Sequence, residues 1–315
     1  MATLSGFVAY PSNPPQVGEA IRAALDRLRD THGISGFAGW EQNDVAGSFL
    51  AQPILDNIEA SDVLVADITK LNFNVVYEIG YAIGKRKRAF LTLNSSLEGD
   101  QPLVREVGLF DTLGYTTYED AAHLASLVST VDRTPGIAFD DTQINRKAPV
   151  YLVLPQHKTD LEIHITSRIK KARLRFRQFD PEELGRLSAR EAIDNVASSF
   201  GVVIPLLPFN RQDAVVHNLR AAYVAGLSGG MSRISLLLQA GFEPIPLDYR
   251  DVAQVFTSPG QANEYIAEFA TQITEELQRD IEPAISETKS FLARMTLGSS
   301  IAENELRDLH EYYIQ

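Results

Sequence analysis

The sequence predicts an α/β protein built of two tandem flavodoxin- or Rossmann-like parallel-sheet lobes, the second degenerate, followed by C-terminal helices. Three observations predict it. Short apolar runs alternate with amphipathic stretches through the first half, a domain-sized repeat follows at a period of about 140 residues, and apolar residues recur at three and four spacing from Gly260 onward.

In order, "GFVAYP" (6–11) reads as a strand, "VGEAIRAALDRLRDTH" (17–32) as an amphipathic helix and "GFAG" as a short strand. The helix "FLAQPILDNIEAS" (49–61), the buried strand "DVLVADI" (62–68), the helix "VVYEIGYAIGKRK" (75–87) and the strand "AFLTLN" (89–94) complete the first copy. "DRTPGIAFDDTQINRKAP" (132–149) is polar, carries turn formers and reads as a linker. "VYLVLPQ" (150–156) opens the second copy, in which "AIDNVASSFGVVIPLL" parallels "ILDNIEASDVLVADI" and "NLRAAYVAGL" parallels "VYEIGYAIGK". This alignment pairs Tyr81 with Tyr223 and Gly84 with Gly226, so Arg220 stands opposite Glu78, Ala222 opposite Gly80 and Pro205 opposite Asp67. The expected division is a first lobe over 1–140, a degenerate repeat over 148–258 and a helical segment over 259–315, the last able to pack across the lobes or form a homo-oligomer or partner interface.

Composition narrows the function classes. A net charge of −12, from 29 basic and 41 acidic residues, repels nucleic-acid backbones and disfavours non-specific binding to them. The absence of cysteine removes disulfides, thiolate metal sites and a cysteine nucleophile, and the six scattered histidines lack metal-ligand spacing, so no metal is expected. No stretch reaches the roughly 18 apolar residues of a membrane span, and the start lacks a signal-peptide pattern, so the expected location is the cytoplasm.

In an open parallel sheet, ligands bind beyond the carboxyl ends of the strands at the switch in strand order. That rule keeps Tyr10, Pro11 and Ser12 after the first strand, Asp67 and Thr69 after the central one, and the helix opening near Asn74; it discards Asp62. The loop before the second helix adds Trp40, Gly47 and Ser48, whose glycine and serine could offer backbone N–H groups to a phosphate. Each also has a purely structural reading: Ser48 as a helix cap, Trp40 as core filler, Asp67 as a turn acceptor.

"NFNVVYEIGYAIGK" (72–85) is the most informative stretch. With Asn74 as N-cap, Glu78 falls in the first turn, where the helix dipole favours a carboxylate by about 0.3–1 kcal/mol. On a helical wheel Val75, Val76, Ile79 and Ile83 share one face, while Glu78 lies at its margin with Tyr81 and Lys85. Gly80 and Gly84 each cost the helix about 1 kcal/mol relative to Ala, which implies close approach by a neighbouring strand or a ligand.

Together, "AYPS" and "SDVLVADIT…NFNVVYEIGYAIGK" resemble the nucleoside 2-deoxyribosyltransferase-like superfamily, which includes nucleotide N-glycosidases and TIR-like nucleotide-binding proteins. The resemblance covers residues 5 to about 94, and its most specific part runs from Asp62 to Glu78. It implies that Glu78 attacks or electrostatically supports the anomeric carbon while a base leaves, with Tyr10, Pro11, Ser12, Gly47, Ser48, Asp67, Asn74 and Tyr81 binding substrate. It further implies a nucleotide or NAD as substrate rather than cofactor, and makes a role in antiphage defence an expectation. The chain departs from the transferases at Ile54 and Asn72, where they carry aspartates. A leaving group that already bears positive charge, such as nicotinamide, needs no acid at those places, which favours NAD or a related dinucleotide over an unmodified purine nucleoside. The prolines of "AYPSNPP" replace the glycine-rich first loop of the nucleotide glycosidases and offer fewer N–H donors. The rival reading is a non-catalytic module that binds a nucleotide signal or a partner.

Overall fold

A computed structural model describes residues 4–42, 51–157 and 159–296. The first sheet contains β1 (Gly6–Ala9), β2 (Phe37–Gly39), β3 (Val63–Asp67), β4 (Arg88–Asn94) and β5 (Thr116–Tyr118) in the order β2-β1-β3-β4-β5, all parallel. The helices of this half are α1 (Pro15–His32), α2 (Ala51–Ala60), α3 (Phe73–Gly84), α4 (Gln101–Val107), α5 (Phe110–Leu113) and α6 (Ala121–Ser129). The second sheet contains β6 (Val150–Val153), β7 (Phe176–Phe179), β8 (Gly201–Leu206), β9 (Ile234–Ala240) and β10 (Ala253–Phe256) in the equivalent order β7-β6-β8-β9-β10, again parallel. Its helices are α7 (Asp160–Lys171), α8 (Pro181–Leu184), α9 (Ala189–Ala197) and α10 (Ala214–Gly230). Both sheets thus have the flavodoxin-like order, with a switch point between their first and third strands.

The chain divides into two compact units, one ending at Ile273 and the other starting at Thr274. Both sheets belong to the first. The final helix, α11 (Pro259–Thr296), is continuous where the sequence suggests two helical stretches. Within the first unit it buries Ala262, Ile266, Phe269 and Ile273, and Phe269 and Ile273 cover Gly201 at the start of β8. The described part of the second unit is helical to Thr296. Among the described residues no helix is long and apolar enough to cross a membrane.

Alternation along the central strands sorts the first lobe into two layers. Phe7, Ala9, Leu64 and Ala66 face α2 and α3, whereas Val8, Tyr10, Val63 and Val65 face α1 and α6. β3 is buried along its whole length, as expected of an apolar run covered on both faces. The sequence periodicity misses the short elements α4, α5 and α6, because four to nine residues give too few turns for a recognisable period.

The lobes meet through α3 and α10, which pack backbone against backbone. A Cβ placed on Gly80 would stand 2.2 Å from the Tyr223 carbonyl oxygen, and one on Gly226 would stand 2.0 Å from that of Tyr77. Farther along, Gly84 meets the Leu227 carbonyl as Gly230 meets that of Tyr81, and the Gly84 and Gly230 backbones touch. The sequence leads one to expect a strand or a ligand against Gly80 and Gly84; their neighbour is instead the matching helix of the second lobe.

These contacts are reciprocal only when Tyr77, Gly80, Tyr81 and Gly84 are matched with Tyr223, Gly226, Leu227 and Gly230. The repeat is therefore Tyr-x-x-Gly-x-x-x-Gly, and the alignment placing Arg220 opposite Glu78 and Ala222 opposite Gly80 is out of register by one helical turn. Glu78 corresponds to Val224, Gly80 to Gly226 and Asn74 to Arg220. The error arises because tyrosine and glycine recur at one-turn spacing in α3, so a one-turn slip still matches. The match of Asp67 with Pro205 stands, since the ladders start with Val63 and Gly201 in equivalent places.

Arg220 ties the lobes together a second time. Its Nε donates to the Val107 carbonyl (3.1 Å) and its Nη2 to those of Glu106 (2.8 Å) and Gly185 (3.1 Å), so a cation sits at the carboxyl end of α4. Its guanidinium lies over the Phe179 ring, and burial pushes its pKa down to about 10, which leaves it charged at neutral pH.

Two stability predictions follow from this seam. Gly80→Ala and Gly226→Ala each introduce a clash with fixed backbone that outweighs the gain in helix propensity, for a net loss of about 1–3 kcal/mol in urea denaturation. Gly260→Ala, where the added atom meets only Ser258 Oγ at 3.7 Å, leaves stability unchanged or raised. Arg220→Met strands three carbonyls and lowers stability by about 2–4 kcal/mol, and a midpoint shift no larger than that of an exposed-site control would contradict the bridging role.

Candidate functional site

The loop from β3 into α3 is fixed by the ends of three strands. Asp67, fully buried, accepts from the Thr69 backbone N–H (2.9 Å) and the Tyr118 hydroxyl (2.8 Å), and Thr69 Oγ1 accepts from the Asn94 N–H (2.7 Å). Asp100 holds the same loop through Lys70 Nζ (3.0 Å) and the Leu71 N–H (3.1 Å). Burial holds the Asp67 carboxyl above its ordinary value, against the opposing effect of these hydrogen bonds. Asp67 is thus the turn acceptor of its structural reading, on the α1 and α6 side of the sheet.

Asn72 caps α3, its Oδ1 accepting from the N–H groups of Asn74 (2.9 Å) and Val75 (3.4 Å). The cap is therefore Asn72 and not Asn74, because the loop constraints bring the chain into helical geometry two residues earlier than the sequence suggests. Glu78 moves accordingly out of the first turn, which holds no acidic residue, into the second. The dipole explanation for it lapses, since that effect fades beyond the first turn. Its environment also differs from the expected margin: Glu78 is 4% exposed, enclosed with the whole of α3 from Val75 to Gly84.

Helical phase places Glu78 on one flank of α3. Val75, Val76, Ile79, Ala82 and Ile83 belong to the apolar core, and Gly80 and Gly84 face α10. Tyr81 and Lys85, which share the Glu78 flank, both reach Glu59 of α2: the Tyr81 hydroxyl donates to Glu59 Oε1, and Lys85 Nζ lies 2.9 Å from the same atom. The flank carrying Asn74, Glu78, Tyr81 and Lys85 therefore turns toward α2. Since α2 packs on β1 and α3 on β3 and β4, the seam between them lies on the sheet face beside the β1–β3 switch point, where the 3-10 turn Leu247–Val252 packs on both helices and its Tyr249 ring lies 5.5 Å from that of Tyr77.

The other candidates fall as follows. Tyr10 is buried on the α1 face, 5.9 Å from the Trp40 ring and beside Arg22 and Glu41; burial, aided by the Glu41 carboxylate, pushes its phenol up to about 12. Pro11 is buried and Ser12 exposed in the turn after β1. Gly47 and Ser48 lie outside the described residues. Tyr81 stacks on Tyr77 at 17° and ties α3 to α2. Ile54, where the transferases carry an aspartate, is core. Asn74 and Glu78 share one flank, while Tyr10 and Asp67 project from the opposite face of the sheet. On two of the candidates, Trp40 Nε1 and Asn74 Oδ1 are buried with no hydrogen-bond partner among the described residues.

No protein-family model matches this chain, and no curated protein matches it. The second lobe supplies the internal comparison instead. α10 starts more than a turn earlier than α3, and the added residues close over the equivalent switch point. His217 Nε2 bonds the Pro205 carbonyl (2.6 Å), Asn218 brackets Leu207 through its N–H (2.9 Å) and carbonyl (2.8 Å), and Asp213 accepts from the His157 N–H (3.2 Å). Polar side chains at this end of the second lobe are thus committed to its own backbone. Among the described residues no cluster of three or more His, Asp or Glu could hold a metal ion.

His217 gives the second lobe an acid-sensitive lock. Burial pushes its pKa down to about 4, so its contribution to stability is full above the unfolded value near 6.5 and falls away as pH drops from there toward 4. Wild type is expected to lose on the order of 3 kcal/mol across that window from this group, and His217→Gln correspondingly less. Urea midpoints at the two ends of the window check this; identical losses in both proteins would remove His217 as the cause.

Proposed function

We propose that this chain is an N-glycosidase that cleaves the base–ribose bond of a nucleotide or NAD(P), by hydrolysis or by base or ADP-ribosyl transfer, with Glu78 as the catalytic carboxylate. The observation that carries the reading is the burial of Glu78 at a position where the matched helix holds Val224, also buried. The matched helix packs with a valine at this place, so the packing of α3 in this fold does not require a carboxylate there, and a buried carboxylate on the helix that follows the central strand is a candidate for ligand chemistry.

The chemistry fits such a group. As the C1′–N bond breaks, its electron pair leaves with the base and positive charge grows on the ribose; a carboxylate in low-dielectric surroundings stabilises that charge or bonds to C1′. Water then attacks C1′ and loses a proton, or an acceptor base takes its place. A nicotinamide leaving group already carries the charge it loses, so the apolar Ile54 and the capping role of Asn72 are compatible with it. The same proposal places the protein in the cytoplasm, in antiphage defence, with protein partners or a second copy engaged through its C-terminal helices.

The second reading, a module that binds a nucleotide signal without turnover, is favoured by the engagement of Tyr10, Asp67 and Tyr81 in internal contacts. Pure protein incubated with NAD, NADP, ATP, dAMP and deoxynucleosides, with freed bases resolved chromatographically, separates the two. Base release is expected to fall about 10³-fold or more in Glu78→Gln. Equal release from both proteins would remove Glu78 from the mechanism, and binding without release would support the signal module.

A further inference from the structure

Asn74 precedes Glu78 by one turn on the flank that faces α2, and side chains at this spacing stand about 5–6 Å apart at Cβ. Its backbone N–H is held by the Asn72 cap, but its buried Oδ1 accepts from no described residue. A buried acceptor left without a donor costs stability, so such an atom one turn from the carboxylate proposed above to address a ligand marks a place for a ligand donor. The matched residue Arg220 shows that this position can be fully satisfied by protein when it serves structure: its guanidinium donates to three backbone carbonyls. At two successive turns of one flank, then, the first lobe has Asn74 and Glu78 where the second has Arg220 and Val224.

We infer that Asn74 is the sugar-positioning residue of the site, its Oδ1 accepting a hydrogen bond from the ribose 2′-hydroxyl, so that the substrate class is ribonucleotide and not 2′-deoxyribonucleotide. This rests on the reading of Glu78 as the group that addresses C1′. The 2′-hydroxyl sits on the carbon next to C1′, which matches one helical turn between the two side chains. A site built to bond a hydroxyl discriminates against the analogue that lacks it, because the acceptor is then left unpaired.

The test uses the full chain carrying Glu78→Gln, so that ligand is not consumed, titrated calorimetrically with ATP and 2′-deoxy-ATP and with ADP-ribose and its 2′-deoxyribosyl analogue. At least one pair should show a preference of about 10–100-fold for the ribose form. Adding Asn74→Leu should abolish the preference, and adding Asn74→Asp, which keeps an acceptor, should retain it. Thermal stability gives an independent readout: Asn74→Leu should melt no lower than its parent, whereas a structural asparagine would lose stability. No ribose preference in either pair, or one unchanged by Asn74→Leu, overturns the inference. Wild type that releases base equally from ribo- and deoxyribonucleotides also overturns it while leaving the glycosidase reading intact. A preference that depends on Asn74 in a protein that releases no base does the reverse.

Discussion

The backbone contact between α3 and α10 is the constraint on which the rest of the molecule depends. Four glycines remove the side chains that would separate the two helices, and what they expose to each other is peptide group against peptide group. An approach this close leaves little freedom: a Cβ at any of these positions would fall within 3.0 Å of a carbonyl or backbone carbon of the other helix. The helices run in the same direction, with Phe73 near the start of α3 packing on Phe209 just ahead of α10, the rings tilted at 56° with 5.6 Å between centroids. Both sheets consequently present the carboxyl ends of their strands at the same end of the compact unit, which is the end where this topology binds ligands.

From that symmetric seam the two lobes diverge in what they do with polar groups. The first lobe closes the end of β3 with Asp67, Thr69 and Tyr118, and carries an asparagine and a glutamate on the flank of α3 that turns toward α2. The second lobe extends its helix over the switch point, commits His217 and Asn218 to strand-end backbone, and sends Arg220 across to α4. One lobe thus invests its polar residues in holding structure. The other carries Asn74 and Glu78 at the places of Arg220 and Val224.

The fold was legible in the sequence because the inner strands β1, β3, β4, β6, β8 and β9 are apolar runs or close to one and α1 carries a clear apolar stripe, whereas the short or polar outer strands β5, β7 and β10 gave no such signal. The duplication was legible too, down to the correspondence of Asp67 with Pro205. Its helical register was not: repeated tyrosines and glycines one turn apart make a slipped alignment look as good as the right one, and only reciprocal contact decides between them. The site was less legible. Strand-end position does not reveal the face to which a side chain turns, and Tyr10 and Asp67 turn away from α3. Nor does an asparagine-rich helix start reveal which asparagine caps; Asn72 does so because Asp100 and Thr69 fix the loop ahead of it.

The reciprocal seam has one more consequence. Two identical chains meeting across such a surface would carry every substitution twice, so a valine in place of Glu78 would appear in both halves at once. A single chain that contains both halves carries each change once. Val224 and Arg220 therefore stand on one side and Glu78 and Asn74 on the other, although the surfaces that join the two halves still mirror each other.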